Sequence, residues 1–246
     1  MKAAQIENMI FRCHSVGDLM GVKGLGKTGQ KRAIQTYIEF TTGRTKEIKS
    51  KYLTKGNVNE QIAIEMVNRV LGTNYIKNEA RLFNDYLTGE CDLLESDHIA
   101  DIKNAWDIFT FNEAKSDPNA DYEWQGRGYM ELYDKPKFKL IYCLTDMPVS
   151  LAIHTLNRMA DMNGDLDQVQ GYQALTNMVF TRDSFEEVLN QQAVFSRSAE
   201  LEKDFIEIPE HDRVFITEFD RNEQKTNLLY SRIKEAREYL KTIYLK

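Results

Sequence analysis

Two aspartates and a lysine carry the most pointed chemistry in this sequence. Asp92 ends the polar half of Tyr86-Leu-Thr-Gly-Glu-Cys-Asp-Leu-Leu94, while Asp101 and Lys103 lie in Ile99-Ala-Asp-Ile-Lys-Asn-Ala-Trp106, and Glu95-Ser-Asp-His98 separates the two runs. Apolar runs flanking a polar tetrad are the signature of a β-hairpin. With Ser96-Asp97 as a two-residue turn, Glu95 pairs with His98, Leu94 with Ile99, and Asp92 falls opposite Asp101. Side chains alternate along a strand, so Lys103 shares the face of Asp101 and Ile102 points the other way. Carboxylates facing each other across a strand pair at a Cβ separation of ~5 Å repel, and a cation between them removes the conflict. Magnesium suits the position, because it takes oxygen ligands and is commonly bound by one or two carboxylates, waters and substrate phosphate. A register slip of one residue would instead leave an ordinary solvent-facing hairpin.

Two further features point to the same place. Lys55-Gly-Asn-Val-Asn-Glu60 precedes an amphipathic pattern in which Ile62, Ile64, Met66, Val67 and Val70 are the apolar positions and Gly72 is the stop. Glu60 then lies in the first helical turn, where it is either a partner of the helix dipole or a third carboxylate at the metal. In Tyr122-Glu-Trp-Gln-Gly-Arg-Gly-Tyr-Met130, a helix formed despite two glycines places Gln125 and Tyr129 at i and i+4 on one face.

With these residues assembled, the chain resembles the PD-(D/E)xK nuclease superfamily, and within it the phage exonucleases similar to lambda exonuclease. Asp92 and Asp101-Ile-Lys103 match the motif that names the superfamily, Glu60 its upstream helical acidic residue, and Gln125 with Tyr129 the QxxxY element of the RecB-type branch. Cys91 stands where the motif has its proline. The resemblance implies an α/β, restriction-endonuclease-like fold in one domain, with a central mixed β-sheet flanked by α-helices. It implies catalytic roles for Glu60, Asp92, Asp101, Lys103, Gln125 and Tyr129, and magnesium, or manganese in its stead, held by Asp92, Asp101, the Ile102 carbonyl and Glu60. The implied activity is 5′ to 3′ processive exonuclease digestion of linear double-stranded DNA in phage-type recombination, in the cytoplasm of a bacterial host. A single-strand annealing protein as partner and a ring-shaped homo-oligomer, a trimer, are implied as well. Arg12 and Ser15 are the nearest matches to the arginine and serine that hold the 5′-phosphate end in lambda exonuclease. Alternatives are an endonuclease of the same fold, a non-catalytic DNA-binding protein, and a nucleotide hydrolase.

The last alternative comes from Gly21-Val-Lys-Gly-Leu-Gly-Lys-Thr28, which fits the phosphate-loop pattern GxxxxGK[ST]. That loop must follow a buried strand and open a helix, because its backbone N–H groups cradle the phosphates at the helix N-terminus. Arg12-Cys-His-Ser-Val-Gly-Asp-Leu-Met20 does not read as a buried strand; Ser15 looks like the N-cap of a short helical turn. After Gly29, Ala33, Ile34, Tyr37, Ile38 and Phe40 recur at helical spacing. The stretch therefore reads as a basic connection between helices. Lys23, Lys27, Lys31, Arg32 and the lysines from Lys46 to Lys55 are candidate phosphate contacts, and Trp106, Phe109 and Phe111 could line a DNA end, although core packing competes for them.

The elements that must position these groups fit one domain. Its 246 residues, 42% of them hydrophobic, are enough for a buried core. No linker-like or low-complexity run divides the chain, which reads as a basic helical segment (1–56), a catalytic core (57–149), a mostly helical insertion (150–203) and a strand with a C-terminal helix (204–246). No apolar run suits a signal peptide or a membrane span. Three distant cysteines without a CxxC pair argue against a disulfide framework or a structural zinc site. The net charge of −6 hides an asymmetry: residues 1–55 hold 11 Lys and Arg against 4 Asp and Glu, leaving 21 against 34 for the rest. The N-terminal quarter can face a polyanion while the remainder stays acidic. Asp161-Met-Asn-Gly-Asp-Leu-Asp167 has its glycine too early for a calcium loop and Tyr172 in place of the closing glutamate.

Overall fold

The computed structural model describes residues 2–46, 50–163, 166–191 and 199–245. Its organising strand is β5 (Ile99–Asn104), reached from β4 (Leu93–Leu94) through the two-residue reversal at Ser96 and Asp97. Leu93 pairs with Ala100 and Leu94 with Ile99, and the Glu95 N–H donates to the His98 carbonyl at 2.9 Å. The register is the one the sequence predicts. His98 is consumed in holding this turn, its ring meeting Asp97 Oδ1 at 2.7 Å and the Tyr75 hydroxyl at 3.1 Å.

β6 (Lys137–Cys143) runs parallel to β5, and β7 (Val214–Asp220) antiparallel to β6, giving a mixed sheet in the order β4-β5-β6-β7. A second, smaller sheet is formed by β1 (Phe11–Arg12), β2 (Leu82–Phe83) and β3 (Leu87–Gly89), in the order β1-β3-β2. The run Tyr86–Leu94, read from sequence as one hairpin arm, is thus divided between two sheets.

The main sheet is covered on both faces, as the alternation of its strands requires. Ala100, Ile102, Ile141 and Cys143 point to α3 (Lys51–Leu71), meeting Ala63, Ile64, Met66 and Val67. Phe138, Leu140 and Tyr142 point the other way, into the larger core that includes Tyr129, Met130 and Tyr133 of α5 (Ala120–Tyr133). α3 starts at the Ser50 N-cap and runs through Gly56, so it begins earlier than the Lys55–Glu60 signals suggest. Gly72 ends it in the left-handed region, at φ 66°. Ile62 faces solvent, as do Ile38 and Phe40 of α2 (Lys27–Thr42); Ala33 and Tyr37 are the buried positions there.

The two glycines of α5 have a packing reason. A Cβ at Gly126 would fall on the Phe138 ring, and one at Gly128 would lie 2.8 Å from Cys13 Sγ. Their absence lets the helix backbone settle on the sheet and on the 3₁₀ turn Cys13–Leu19. That turn is capped by Arg12 without a side-chain bond; Ser15 lies inside it and donates back to the Arg12 carbonyl at 2.9 Å, so Ser15 is not the N-cap.

The remaining helices complete two regions. α1 (Lys2–Glu7) and α10 (Glu223–Tyr244) close the main core, with Leu229, Ile233, Ala236 and Leu240 buried. α4 (Ile108–Ser116) follows β5 through an Asp107 capping box. α6 (Val149–Asn163), α7 (Gln168–Thr176), α8 (Arg182–Gln191) and α9 (Ala199–Lys203) gather around a separate apolar cluster that includes Leu156, Leu175, Phe185 and Val188. No described helix is long and apolar enough to cross a membrane.

Candidate active site

The hairpin brings the two aspartates and the lysine together. Ladder pairing stops at Leu93, and the Asp92 carboxylate itself takes over the next position, with Oδ2 accepting the Ile102 N–H at 2.6 Å. Asp101 is 2% exposed, and Lys103, two residues further along the same face, forms an ion pair with its Oδ2. Apart from Lys103, that buried oxygen has no partner among the described residues. Burial and the neighbouring Asp101 charge push the Asp92 carboxyl well above the usual carboxylate range, against the pull of Lys103 and of the Ile102 N–H. Burial pulls the Lys103 amine down, but Asp101 and Asp92 outweigh it and the net direction is up. A depressed lysine is therefore not what this arrangement holds.

α5 supplies the other wall. Gln125 Nε2 donates to the Tyr129 hydroxyl at 2.9 Å and reaches Asp101 Oδ1 at 3.4 Å. The i, i+4 spacing read from the sequence is thus a direct contact, and it meets the strand at the motif aspartate. Burial, reinforced by Asp101, raises the Tyr129 phenol far above its ordinary range, so it serves as a neutral hydroxyl. Tyr122, one turn before Gln125, lies beneath the Lys103 ammonium, 4.6 Å from ring centroid to Nζ. Sequence reasoning missed Tyr122, although its i, i+3 relation to Gln125 was a usable signal.

Glu60 stands apart. α3 packs on the face of the sheet opposite α5, and Glu60 pairs with Lys77 at 2.6 Å, acting on Asp92 only through its charge. Among the described residues no group of three His, Cys, Asp or Glu side chains is placed to hold a metal ion. Asp92 and Asp101 form the carboxylate pair, and Glu60 is a neighbour of it.

A cavity of about 310 Å³ opens at the end of β1, lined by Arg12, His14, Ser15, Arg32 and Lys46 among others. Burial, then the charges of Arg12, Arg32 and Lys103, hold the His14 imidazole below its ordinary value; Glu39 also lines the cavity, and Arg32 is paired with Asp18 at 2.6 Å. His14 was not singled out from sequence, because a lone histidine has no spaced partner to betray it. Lys27 opens α2 and is exposed, and Lys31 lies on the outer side of that helix. Lys49 lies outside the described residues.

Solved structures were compared with this arrangement, whereas no family model and no curated protein matches the chain. A phage-related exonuclease from Haemophilus somnus 129PT superposes with TM-score 0.67 at 20% identity, over 96% of this chain and 95% of that one. An alkaline exonuclease from Laribacter hongkongensis gives TM-score 0.57 at 13% identity over 98% and 96% of the two chains, and its complex with dAMP gives 0.53 at 14% over 98% and 94%. The chain has the fold of these exonucleases.

Within this exonuclease fold, two sequence expectations need correction. Lys55 is no surface phosphate contact: it is 1% exposed, and its Nζ donates to the carbonyls of Ala105 at 2.6 Å and Trp106 at 3.0 Å. The helical position that looked solvated from sequence faces the end of β5, and burial lowers the amine to about 7. Trp106 is half-buried against the α6–α8 cluster, with Lys51 Nζ 4.3 Å from its ring centroid, and Phe111 is core. Of these three aromatic residues, Phe109, 61% exposed, is the one free to meet a ligand by stacking. The phosphate-loop match also resolves. It follows a 3₁₀ turn and no buried strand, the Leu25 N–H donates to Glu235 Oε1 at 2.9 Å, and the Gly21 carbonyl accepts from Arg232 Nη2 at 3.1 Å. A carboxylate of α10 already occupies one of the backbone N–H donors a nucleotide would need.

Proposed function

We propose that the protein is a metal-dependent deoxyribonuclease that degrades linear double-stranded DNA from its ends. The observation that carries this reading is the convergence of Asp92, Asp101, Lys103 and Gln125 at one buried point on the exonuclease fold. Two carboxylates side by side, with the buried Asp101 Oδ2 held only by the Lys103 ammonium, are a donor set that fits a hard divalent cation. Asp92 and Asp101, with the Ile102 carbonyl, would hold magnesium or manganese; Glu60 would act on its water shell. When bound, such an ion supplies Lewis acidity at a phosphoryl oxygen and a more acidic water.

The chain's own residues do the rest. Lys103 keeps a full positive charge beside the carboxylates, where it offsets negative charge that develops on a phosphodiester under attack. Tyr122 holds that ammonium against its ring, and Gln125 fixes Asp101 through its amide. The basic cavity at Arg12, His14, Ser15 and Arg32 would take the terminal 5′-phosphate, with Lys27 and Lys31 as outlying phosphate contacts that position a duplex without reading its sequence. A 5′ to 3′ direction, processivity, a ring-shaped trimer and an annealing-protein partner in recombination extend the same proposal.

The test is digestion of linear and covalently closed circular DNA of one sequence, with magnesium and with chelator. Loss of the linear form alone, only with metal, supports an exonuclease. Nicking or linearisation of the circle would replace it with an endonuclease, and two intact substrates would leave a binding protein.

A further inference from the structure

A second cavity, of about 310 Å³, lies between α3, the segment after β6 and the turn that precedes β7. Its charged walls are nearly all committed. Asp146 accepts the backbone N–H groups of Phe180 and Thr181 through Oδ1, and the hydroxyls of Thr181 and Ser184 through Oδ2 at 2.7 and 3.1 Å. Glu210 accepts Arg69 Nη2 at 2.6 Å and Arg69 Nε at 3.1 Å, which leaves Arg69 Nη1 unused. Asn59 donates to Thr145 Oγ1 at 2.8 Å and to the Asp146 carbonyl at 2.7 Å.

Arg213 is the exception. It is 8% exposed, its Nε is buried without a hydrogen-bond partner, and its guanidinium makes no hydrogen bond or ion pair with any described residue. Only its backbone is used, the carbonyl accepting the Leu144 N–H at 2.8 Å. A buried cation with unpaired donors destabilises a fold unless something satisfies it. The Arg213 charge acts on Glu210, but the Glu210 oxygens are bonded to Arg69, and neither carboxylate of the cavity forms an ion pair with the Arg213 guanidinium.

We propose that this cavity is a binding site for phosphate, free or as a small monoester, with Arg213 as its principal ligand and Arg69 as its second. Guanidinium forks match the oxygens of a phosphate two at a time, and a buried arginine is suited to that task because it is weakly hydrated and never loses its proton. Glu210 is ion-paired with Arg69, and the Asp146 oxygens are turned to the Phe180 and Thr181 N–H groups and the Thr181 and Ser184 hydroxyls, so Asp146 is the one acidic charge an anion must sit away from. The volume admits a phosphate carrying a small organic group and excludes a duplex. This site is separate from the carboxylate pair: Asn59 turns to it, whereas the adjacent Glu60 turns to Lys77. It stands whether or not the protein is a nuclease.

The test is thermal unfolding in chloride, inorganic phosphate and dAMP at matched ionic strength, on the wild type, Arg213→Met and Arg213→Lys. Phosphate is expected to raise the wild-type Tm, with less than half that rise in Arg213→Met, while Arg213→Met in chloride melts at or above the wild type because an unpaired buried charge has gone. A greater response to dAMP than to phosphate that is lost in Arg213→Met assigns the site to a mononucleotide; equal Arg213-dependent responses assign it to the phosphate group alone. Equal phosphate responses in wild type and Arg213→Met would overturn the proposal, as would an Arg213→Met protein that melts lower in chloride. Should Arg213→Met not fold, Arg213→Lys decides: phosphate affinity at least threefold weaker supports the site, and unchanged affinity refutes it.

Discussion

Asp92 Oδ2 accepts the backbone N–H of Ile102 at 2.6 Å, so the first carboxylate of the hairpin is pinned to the strand residue between the second carboxylate and the lysine. One bond thereby fixes Asp92 relative to both Asp101 and Lys103.

Asp92→Asn keeps an oxygen that can accept this N–H but removes a charge that burial and Asp101 disfavour. The variant is expected to unfold at a temperature equal to or above the wild type in chelator, while DNA cleavage falls by at least about 10²-fold. Thermal unfolding and single-turnover cleavage on one preparation check both halves. A variant that is less stable and still active would show that Asp92 is merely structural.

Gln125 and Tyr129 divide their work. Tyr129→Phe removes a neutral hydroxyl that accepts from Gln125, and stability should fall by about 1 kcal/mol, the usual net worth of such a bond. Gln125→Ala also frees Asp101, so its cleavage rate should fall further than that of Tyr129→Phe. Denaturant melts paired with rate measurements separate the two effects.

Lys55 makes stability depend on pH in a defined direction. Its amine titrates near 7 when folded against an ordinary 10.5, so between those values the unfolded chain holds a proton that the folded chain lacks. Stability should therefore rise with pH across that window, at up to about 1.4 kcal/mol per pH unit, and the penalty for burying the charge is complete below pH 7. Lys55→Met should flatten this slope. Urea melts from pH 6.5 to 10 measure it.

Gly126→Ala tests why α5 contains glycines. A methyl there would meet the Phe138 ring, and overpacking of this kind costs typically about 1–3 kcal/mol. The same change at Gly56, where nothing lies within 4 Å, should be neutral or stabilising, since alanine is the better helix former. Chemical denaturation of the two variants gives the contrast.

The carboxylate site was legible because it rests on local rules. Turn length set the register of Ser96 and Asp97, strand alternation put Asp101 and Lys103 on one face, and helix periodicity joined Gln125 to Tyr129. Tertiary packing hid the rest. Nothing near Lys55 in the chain announces that its amine meets the carbonyls that follow β5, fifty residues on, and nothing local shows that α3 lies across the sheet from α5, which sets Glu60 apart. Cys91 and Gly89 gave no hint that the run before Asp92 serves two sheets. Arg213 looked like one more charge before a strand; its isolation exists only in the folded chain.

The most direct measurement is the rate of nucleotide release from an end-labelled linear duplex in magnesium by the wild type, Asp101→Asn, Lys103→Met and Lys27→Ala. The account predicts release by the wild type, release by Lys27→Ala slowed by no more than about tenfold through the loss of one outlying phosphate contact, and at least about 10²-fold slower release by the other two. Release unaffected by Asp101→Asn, or abolished by Lys27→Ala, would contradict it.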